Sequence, residues 1–331
     1  MIPFNTQLVF VKHVFVICIS LSLGMICASS LGFAAPANTP DAQAKSSKVV
    51  DLRNSGYVKK GSVEDLIKIR CGTDGEDAWT VWTGEIYSYV PQERQRHLFS
   101  VVGANVARCK QLKDGTWYFT SREVQYYLDP KTGARLDKWK NPWTERTVPV
   151  MHVANELVQG KLKWAPDLTI DPPFATLRMP INLLYPNRLS KDDTLKKYSP
   201  EAMYQAGEFF GLLSPISDLK DPKKTRASMS LTWTRVGPWL PWMDMGDQAG
   251  YLVYSADGSK LESFEELPKW LQDEMKTRIP LYQHAPKCFL KARNVSSWSY
   301  FARHKANYDK GEQFPVPAPI KDEPCVEDPT P

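Results

Sequence analysis

Beyond its first 34 residues, this 331-residue chain holds no apolar run near the roughly 18 residues that mark a membrane-spanning helix. It also lacks the G-x-S-x-G elbow, the H-E-x-x-H pair, the phosphate-binding loop, the dinucleotide fingerprint and the EF-hand loop. Those absences count against a common serine hydrolase, a zincin and a nucleotide enzyme, and no cofactor is expected. They leave open a cofactor-independent acid–base enzyme, whose residues need no fixed spacing. Charge of one sign is scarce too: 42 basic residues face 37 acidic ones, for a net +5, and the basic residues are scattered. No nucleic-acid partner is therefore expected. There is no C-x-x-C pair, so a zinc site of the usual spacing is absent. A metal site would have to be assembled from distant histidines, and none is expected.

What the chain does have begins at its N-terminus. Lys12 and His13 precede an apolar stretch over residues 14–23, a weaker one over 25–33, and small residues at Gly32 and Ala34. That order is the pattern of a secretory signal, with cleavage after Ala34. An uncleaved membrane anchor is the alternative, but Ser20, Ser22, Gly24, Ser29, Ser30 and Gly32 dilute the run. A lipoprotein is excluded because Cys18 and Cys27 follow Ile17 and Ile26 rather than a small residue. The expected location is periplasmic or secreted. Four of the six cysteines, Cys71, Cys109, Cys288 and Cys325, would remain after cleavage. An even number in an oxidising compartment reads as two disulfides. The favoured pairs are Cys71–Cys109 and Cys288–Cys325: the first two end neighbouring expected strands, and the last two bracket the C-terminal segment. Free thiols are the alternative.

Residues 35–61 are small and polar and read as a flexible leader, 62–310 as one β-rich domain, and 311–331 as a Pro-rich tail tied down through Cys325. Residues 62–70 start with a cap-like serine and read as one helical turn leading into a strand that ends at Cys71. Strands are expected over 79–90, 98–109, 117–128 and 146–153, joined by Pro, Asp-Gly and Asp-Pro connections that close hairpins. Gly84 reads as a bend or bulge. Neither face of 117–128 is cleanly polar, so both should be partly covered. Further strands are expected over 174–184, 228–236 and 250–254, with a turn at Ala256-Asp-Gly-Ser. Helices are expected from Ser199 to the apolar residues Phe209–Leu213, and over 264–278. The fold class is thus α+β and β-rich: a curved antiparallel sheet or calycin-like barrel with about two packed helices.

Several of these residues together are familiar. Trp82-Thr-Gly84-Glu-Ile-Tyr87, Arg122-Glu123, Tyr127-x-Asp129, Trp139-x-Asn141-Pro142, Val150-x-His152-Val153-x-Asn155 and above all the block from Trp233 to Asp247 resemble a bacterial secreted family, the domain of unknown function numbered 1838. The resemblance spans about residues 62–310. It implies one full-length domain and brings no reaction with it. Cys71 and Cys109 are not part of that resemblance.

Candidate chemistry is spread over three places. His152, beside Asn155 and Glu156, is the best general-base candidate because imidazole titrates near neutrality; a core histidine bonded to backbone is the alternative. Glu123 shares its strand face with Phe119 and Tyr127, and a desolvated acid among aromatics acts as acid or base; Arg122 points the other way. Glu123 and Tyr127 complete the catalytic candidates. The block Trp233 to Asp247 offers Trp233, Trp239, Trp242, Asp244 and Asp247, with prolines that stiffen it. It reads either as a wall over an aromatic ligand or as a plug closing a barrel end. With Trp82 and Arg122, these form the expected ligand-binding set for a small hydrophobic or aromatic molecule. An envelope scaffold without a cavity is the remaining alternative.

Overall fold

Turn chemistry and alternation set the first half of the fold. In the computed structural model, which describes residues 56–321 and 324–326, strand β1 (Val58–Lys60) and helix α1 (Val63–Arg70) precede the long strands β2 (Ala78–Tyr89), β3 (Arg96–Gln111) and β4 (Trp117–Leu128). Then come the short pair β5 (Lys138–Lys140) and β6 (Thr147–Pro149), followed by β7 (Val153–Leu162), β8 (Asp167–Asp171), β9 (Phe174–Pro186) and β10 (Met203–Pro215). Helix α2 (Ile216–Lys220), β11 (Ser230–Gly237), β12 (Tyr251–Leu261), α3 (Lys269–Thr277), α4 (Ser297–Arg303) and α5 (Lys305–Asp309) complete the order. The expected signal segment and most of the leader lie outside the described residues.

Ten strands form one antiparallel sheet in the order β1-β8-β9-β10-β11-β12-β2-β3-β4-β7, curled into a half-barrel. The hairpin between β3 and β4 closes at Lys113-Asp-Gly, where Gly115 takes φ 82°, a conformation that costs an L side chain dearly. Each face of β4 is covered, which explains its lack of a polar side. Tyr118 packs on Phe289, the Thr120 hydroxyl donates to the Pro286 carbonyl, and the Tyr126 hydroxyl donates to Glu274. Helix α3 and the non-helical segment around Pro286 and Phe289 thus cover one face, and the sheet's own curvature encloses the other.

Several elements depart from the sequence reading, each for a physical reason. Residues 62–70 form a true helix with a capping box between Ser62 and Asp65. The stretch expected to be a helix after Ser199 is strand β10. Its inward side chains are Tyr204, Ala206, Glu208, Phe210 and Leu212, while Phe209 and Leu213 stay exposed on the outer face. Apolar residues on both faces hide a period of two, and pairing along the whole of β9 overrides the weak helix opening. Strand β12 runs straight through Ala256-Asp-Gly-Ser. Gly258 is there because a Cβ would lie 2.2 Å from the Val81 carbonyl of the neighbouring strand, not because the chain turns. Gly84 keeps regular register, and the β2–β3 irregularity falls at Ile86/Tyr87. The helix expected over 264–278 is split: a 3-10 turn at Phe264–Glu266, then Pro268, then α3. The last part of the presumed leader adds β1 to the sheet edge through β8.

Both disulfides join the favoured pairs, Cys71–Cys109 and Cys288–Cys325. Cys71 follows α1 rather than a strand, so the first bridge ties that helix to β3. The tail is held by more than Cys325. Phe314 is buried, Arg278 donates to the Pro315 carbonyl, and the Ala318 amide donates to the Arg278 carbonyl.

Two apolar clusters fill the interior. One gathers Phe99, Tyr126, Tyr127, Met151 and the Trp239–Met245 block; the other gathers Leu66, Ile69, Trp82, Leu212 and Leu231 around α1. Trp233 packs against both. Among the described residues, no helix is long and apolar enough to cross a membrane.

Candidate functional site

The antiparallel register builds a polar row across four neighbouring strands. Thr80 of β2 faces Asn105 of β3, Asn105 faces Glu123 of β4, and Glu123 faces Asn155 of β7. One step along the strands lies a second row, Trp82, Gly103 and Gln125. Gly103 has no side chain, so the Trp82 indole lies flat across β3 and donates to Gln125 Oε1 at 2.9 Å. Cross-strand neighbours of this kind are what a sheet fixes most firmly.

These rows open into a cavity of about 370 Å3 beneath α1. Its volume lies within the roughly 300–1000 Å3 range of small-molecule sites. Leu66 and Arg70 come from α1, Phe119 and Glu123 from β4, Val158 and Leu162 from β7, and Met179 and Ile181 from β9. Glu208, Phe210 and Leu212 come from β10 and Leu231 and Trp233 from β11, with Trp164 at the side. Phe210 and Trp233 stack with ring centres 6.2 Å apart. The lining is aromatic and aliphatic, with a few convergent polar groups.

The charged groups are coupled. Burial, reinforced by the charge of Glu208, lifts the Glu123 carboxyl to about 7, against the pull of Arg70 and an amide hydrogen bond from Asn155 Nδ2 at 3.2 Å. Burial also raises Glu208, opposed by Arg235, whose Nε lies 3.4 Å from its carboxylate. Burial works against the Arg235 charge, yet Tyr254, Tyr204 and Glu208 together hold its guanidinium above the ordinary value. Burial lowers Arg70, and Glu123 opposes that shift. The Arg70 guanidinium lies over the Phe119 ring at 4.4 Å. Its Nε and the Trp233 Nε1 are buried and find no hydrogen-bond partner among the described residues.

Three of the expected site residues meet here: Glu123, Trp82 and Trp233. The others lie elsewhere. Tyr127 is fully buried beside Phe99 and Trp242 and is hydrogen bonded to Tyr254. His152 Nδ1 accepts the Tyr127 amide at 3.1 Å, and the ring is packed between Tyr126 and Tyr127. Burial, with Arg135 and Arg278 nearby, pushes it down to about 3, so it is a neutral core imidazole. Arg122 faces away from the cavity and donates to the Glu156 and His284 carbonyls. Trp239 packs on Trp143 and donates to the Gln248 carbonyl, while Trp242 packs on Phe99 and Trp139. Asp244 pairs with Arg146 at 2.7 Å, and Asp247 is exposed. The tryptophan block is therefore part of the core, and only its first residue reaches the cavity.

Sequence reasoning missed Arg70, Thr80, Asn105, Glu208 and Phe210. Arg70 had a signal: it stands four residues after Leu66, on a helix face that is otherwise apolar. Glu208 had one as well, as the lone acid in residues 203–215, but reading that stretch as helix hid the face it shares with Phe210 and Leu212.

A curled antiparallel half-barrel with an aromatic-walled cavity on its inner side is the architecture these observations define. The chain belongs to the family described as "Protein of unknown function (DUF1838)", whose sequence model matches residues 75–305. No curated protein matches it. Among solved structures it has a likeness to Ail, the attachment invasion locus protein of Yersinia pestis. That likeness is 5% identity and a TM-score of 0.16, over 57% of this chain and 100% of the other, and so loose a superposition carries no argument.

Proposed function

We propose that this protein binds or transforms a small hydrophobic or aromatic molecule in the cavity under α1. The observation that carries this reading is the convergence of Trp82, Phe119, Phe210 and Trp233 with a few polar groups around about 370 Å3 of space. An aromatic-lined hollow with sparse polar groups is the usual form of a small-molecule site. In this reading the half-barrel is used as a calycin-like container, with the ligand in its concavity. The protein is exported: two disulfides suit an oxidising compartment, and the N-terminal pattern suits a cleaved signal. The test is native mass spectrometry of protein purified from its own compartment, alongside an Ile181→Trp variant. Ile181 is a half-buried wall residue, so an indole there fills open space rather than the packed core. A retained small molecule should be lost in that variant while its melting temperature stays within a few degrees. A variant that folds and still retains the molecule would place the ligand elsewhere.

A second reading, a cofactor-independent lyase, isomerase or hydrolase, has one specific support: Glu123 has a carboxyl at about 7 inside the cavity. A general acid or base works best when its pKa lies near the working pH. In that case Glu123→Gln should retain substrate and lose turnover by about 100-fold or more.

A further inference from the structure

The inside of the cavity is not symmetrical in charge. Among the described residues one guanidinium, that of Arg70, and two carboxyls line it, but the carboxyls of Glu123 and Glu208 are both pushed towards their neutral forms. Arg235 is engaged by Glu208 and by the Tyr204 hydroxyl, to which its Nη2 donates at 2.8 Å. Arg70 has no ion pair and no side-chain hydrogen bond among the described residues, and Glu123 acts on it only through space. It sits at the last residue of α1, over the Phe119 ring, with a buried N–H that finds no acceptor among the described residues. A buried N–H of a guanidinium costs stability unless an acceptor satisfies it. The Trp233 N–H leaves a second buried donor on the same lining.

We infer that the ligand is an organic monocarboxylate with an apolar or aromatic body, its carboxylate bound by Arg70 and its body lying against Trp82, Phe210 and Trp233. The inference rests on the cavity reading above and names the chemical class that the cavity takes. A planar guanidinium fork matches a carboxylate, and aromatic walls take the body. One unengaged cation suits one negative charge. A doubly charged phosphate would leave its second negative charge without a cation in a lining whose one guanidinium is that of Arg70. An amine would meet the Arg70 guanidinium, a charge of its own sign.

Glu123 then gives the site a proton requirement. Arg70 faces it from α1, Asn155 from β7, Glu208 from β10 and Arg235 from β11. In its protonated form Glu123 is a hydrogen-bond donor towards an incoming carboxylate; in its ionised form it repels one. Binding is therefore coupled to a proton on Glu123 and weakens above about pH 7.

The test uses three probes with one ring system: 2-naphthoate, 2-naphthalenemethanol and 2-naphthalenemethylamine. Each is titrated into the purified protein by calorimetry at pH 6 and pH 8.5 in the same salt. The acid should bind on the order of tenfold or more tighter than the alcohol at pH 6, as expected for a charge-assisted contact, and lose about tenfold or more by pH 8.5. Arg70→Met should bring the acid down to the level of the alcohol without weakening the alcohol. Glu123→Gln should keep acid binding and flatten its pH dependence. Equal affinity for acid and alcohol, or a preference for the amine, overturns the carboxylate inference and leaves the cavity reading standing. Failure of all three probes, with the Ile181→Trp variant indistinguishable from the parent, overturns both. If Arg70→Met does not fold, the acid–alcohol difference in the parent and its loss with pH still decide the matter.

Discussion

His152 and Glu123 are both buried, and burial moves them in opposite senses because one is charged when protonated and the other when deprotonated. His152 falls from its ordinary 6.5 to about 3. Between those values the unfolded chain binds a proton that the folded chain refuses. The stability it contributes is therefore present above pH 6.5 and is lost as pH falls towards 3, at up to about 1.4 kcal/mol per pH unit. Glu123 rises from 4.5 to about 7, so the folded chain holds the extra proton, and its contribution is present below pH 4.5 and lost as pH rises through 7. Between pH 4.5 and 6.5 the two slopes oppose each other. Urea unfolding from pH 3 to 8 should show this by difference. His152→Gln should flatten the acid limb relative to the parent, and Glu123→Gln should flatten the decline towards neutrality. Parallel curves for parent and variants would show that neither side chain is linked to folding. Of the two, only Glu123 was legible as a cavity residue, because it alternates in phase with Phe119 on its strand. His152 looked like a base by type alone. Its burial depends on Tyr126 and Tyr127 of the distant strand β4, which no local pattern reports.

At the scale of elements, the cavity depends on how closely β2 and β3 approach under Trp82. A Cβ on Gly103 would lie 2.3 Å from the Trp82 indole, and that ring is fixed by its bond to Gln125. Gly160 of β7 is a useful contrast, since a Cβ there meets Phe119 at 3.1 Å, a contact that a small ring movement relieves. Alanine in place of a strand glycine recovers about 0.5–1 kcal/mol of chain entropy, whereas overpacking costs about 1–3 kcal/mol. Gly160→Ala should thus be near neutral in a urea melt, and Gly103→Ala should be destabilised by about 1–3 kcal/mol. Equal effects at the two positions would mean that Trp82 is not pinned. The strands β2, β3 and β4 were legible because their hairpins carry turn residues and their alternation is long. Strand β10 was not, since Phe209, Phe210, Leu212 and Leu213 put apolar groups on both faces and only pairing with β9 and β11 selects extension. Residues 153–162 were missed for a related reason: β7 earns its place by pairing with β4, across a register shift between Ser121 and Glu123. The polar row from Thr80 to Asn155 exists only through such pairing, so no single segment could display it.

At the scale of the whole molecule, the two disulfides bridge separations of 38 and 37 residues. Loop-closure entropy in the unfolded chain is therefore nearly the same for both, and each should be worth about 2–5 kcal/mol. What differs is the element each one holds. Cys71–Cys109 anchors the end of α1, which carries Leu66 and Arg70 over the cavity, and Lys260 adds to this anchor through its donation to the Lys68 and Cys71 carbonyls. Cys288–Cys325 anchors the C-terminal segment, which covers the opposite face of β4 through Phe289 and a bridge from Leu290 to Cys325. Paired Cys→Ala variants separate the two roles. Cys71→Ala/Cys109→Ala and Cys288→Ala/Cys325→Ala should lose comparable stability in urea, because the denatured chain gains comparable freedom. Only the first should also weaken binding of a cavity probe such as 2-naphthoate, because only there does the folded state gain a loosened wall, and an affinity that requires a rare competent conformer falls in proportion to its population. Equal losses of affinity in both variants would mean that the cavity depends on overall stability and that α1 is held in place without its bridge. Unchanged affinity in both would place the probe away from α1 altogether.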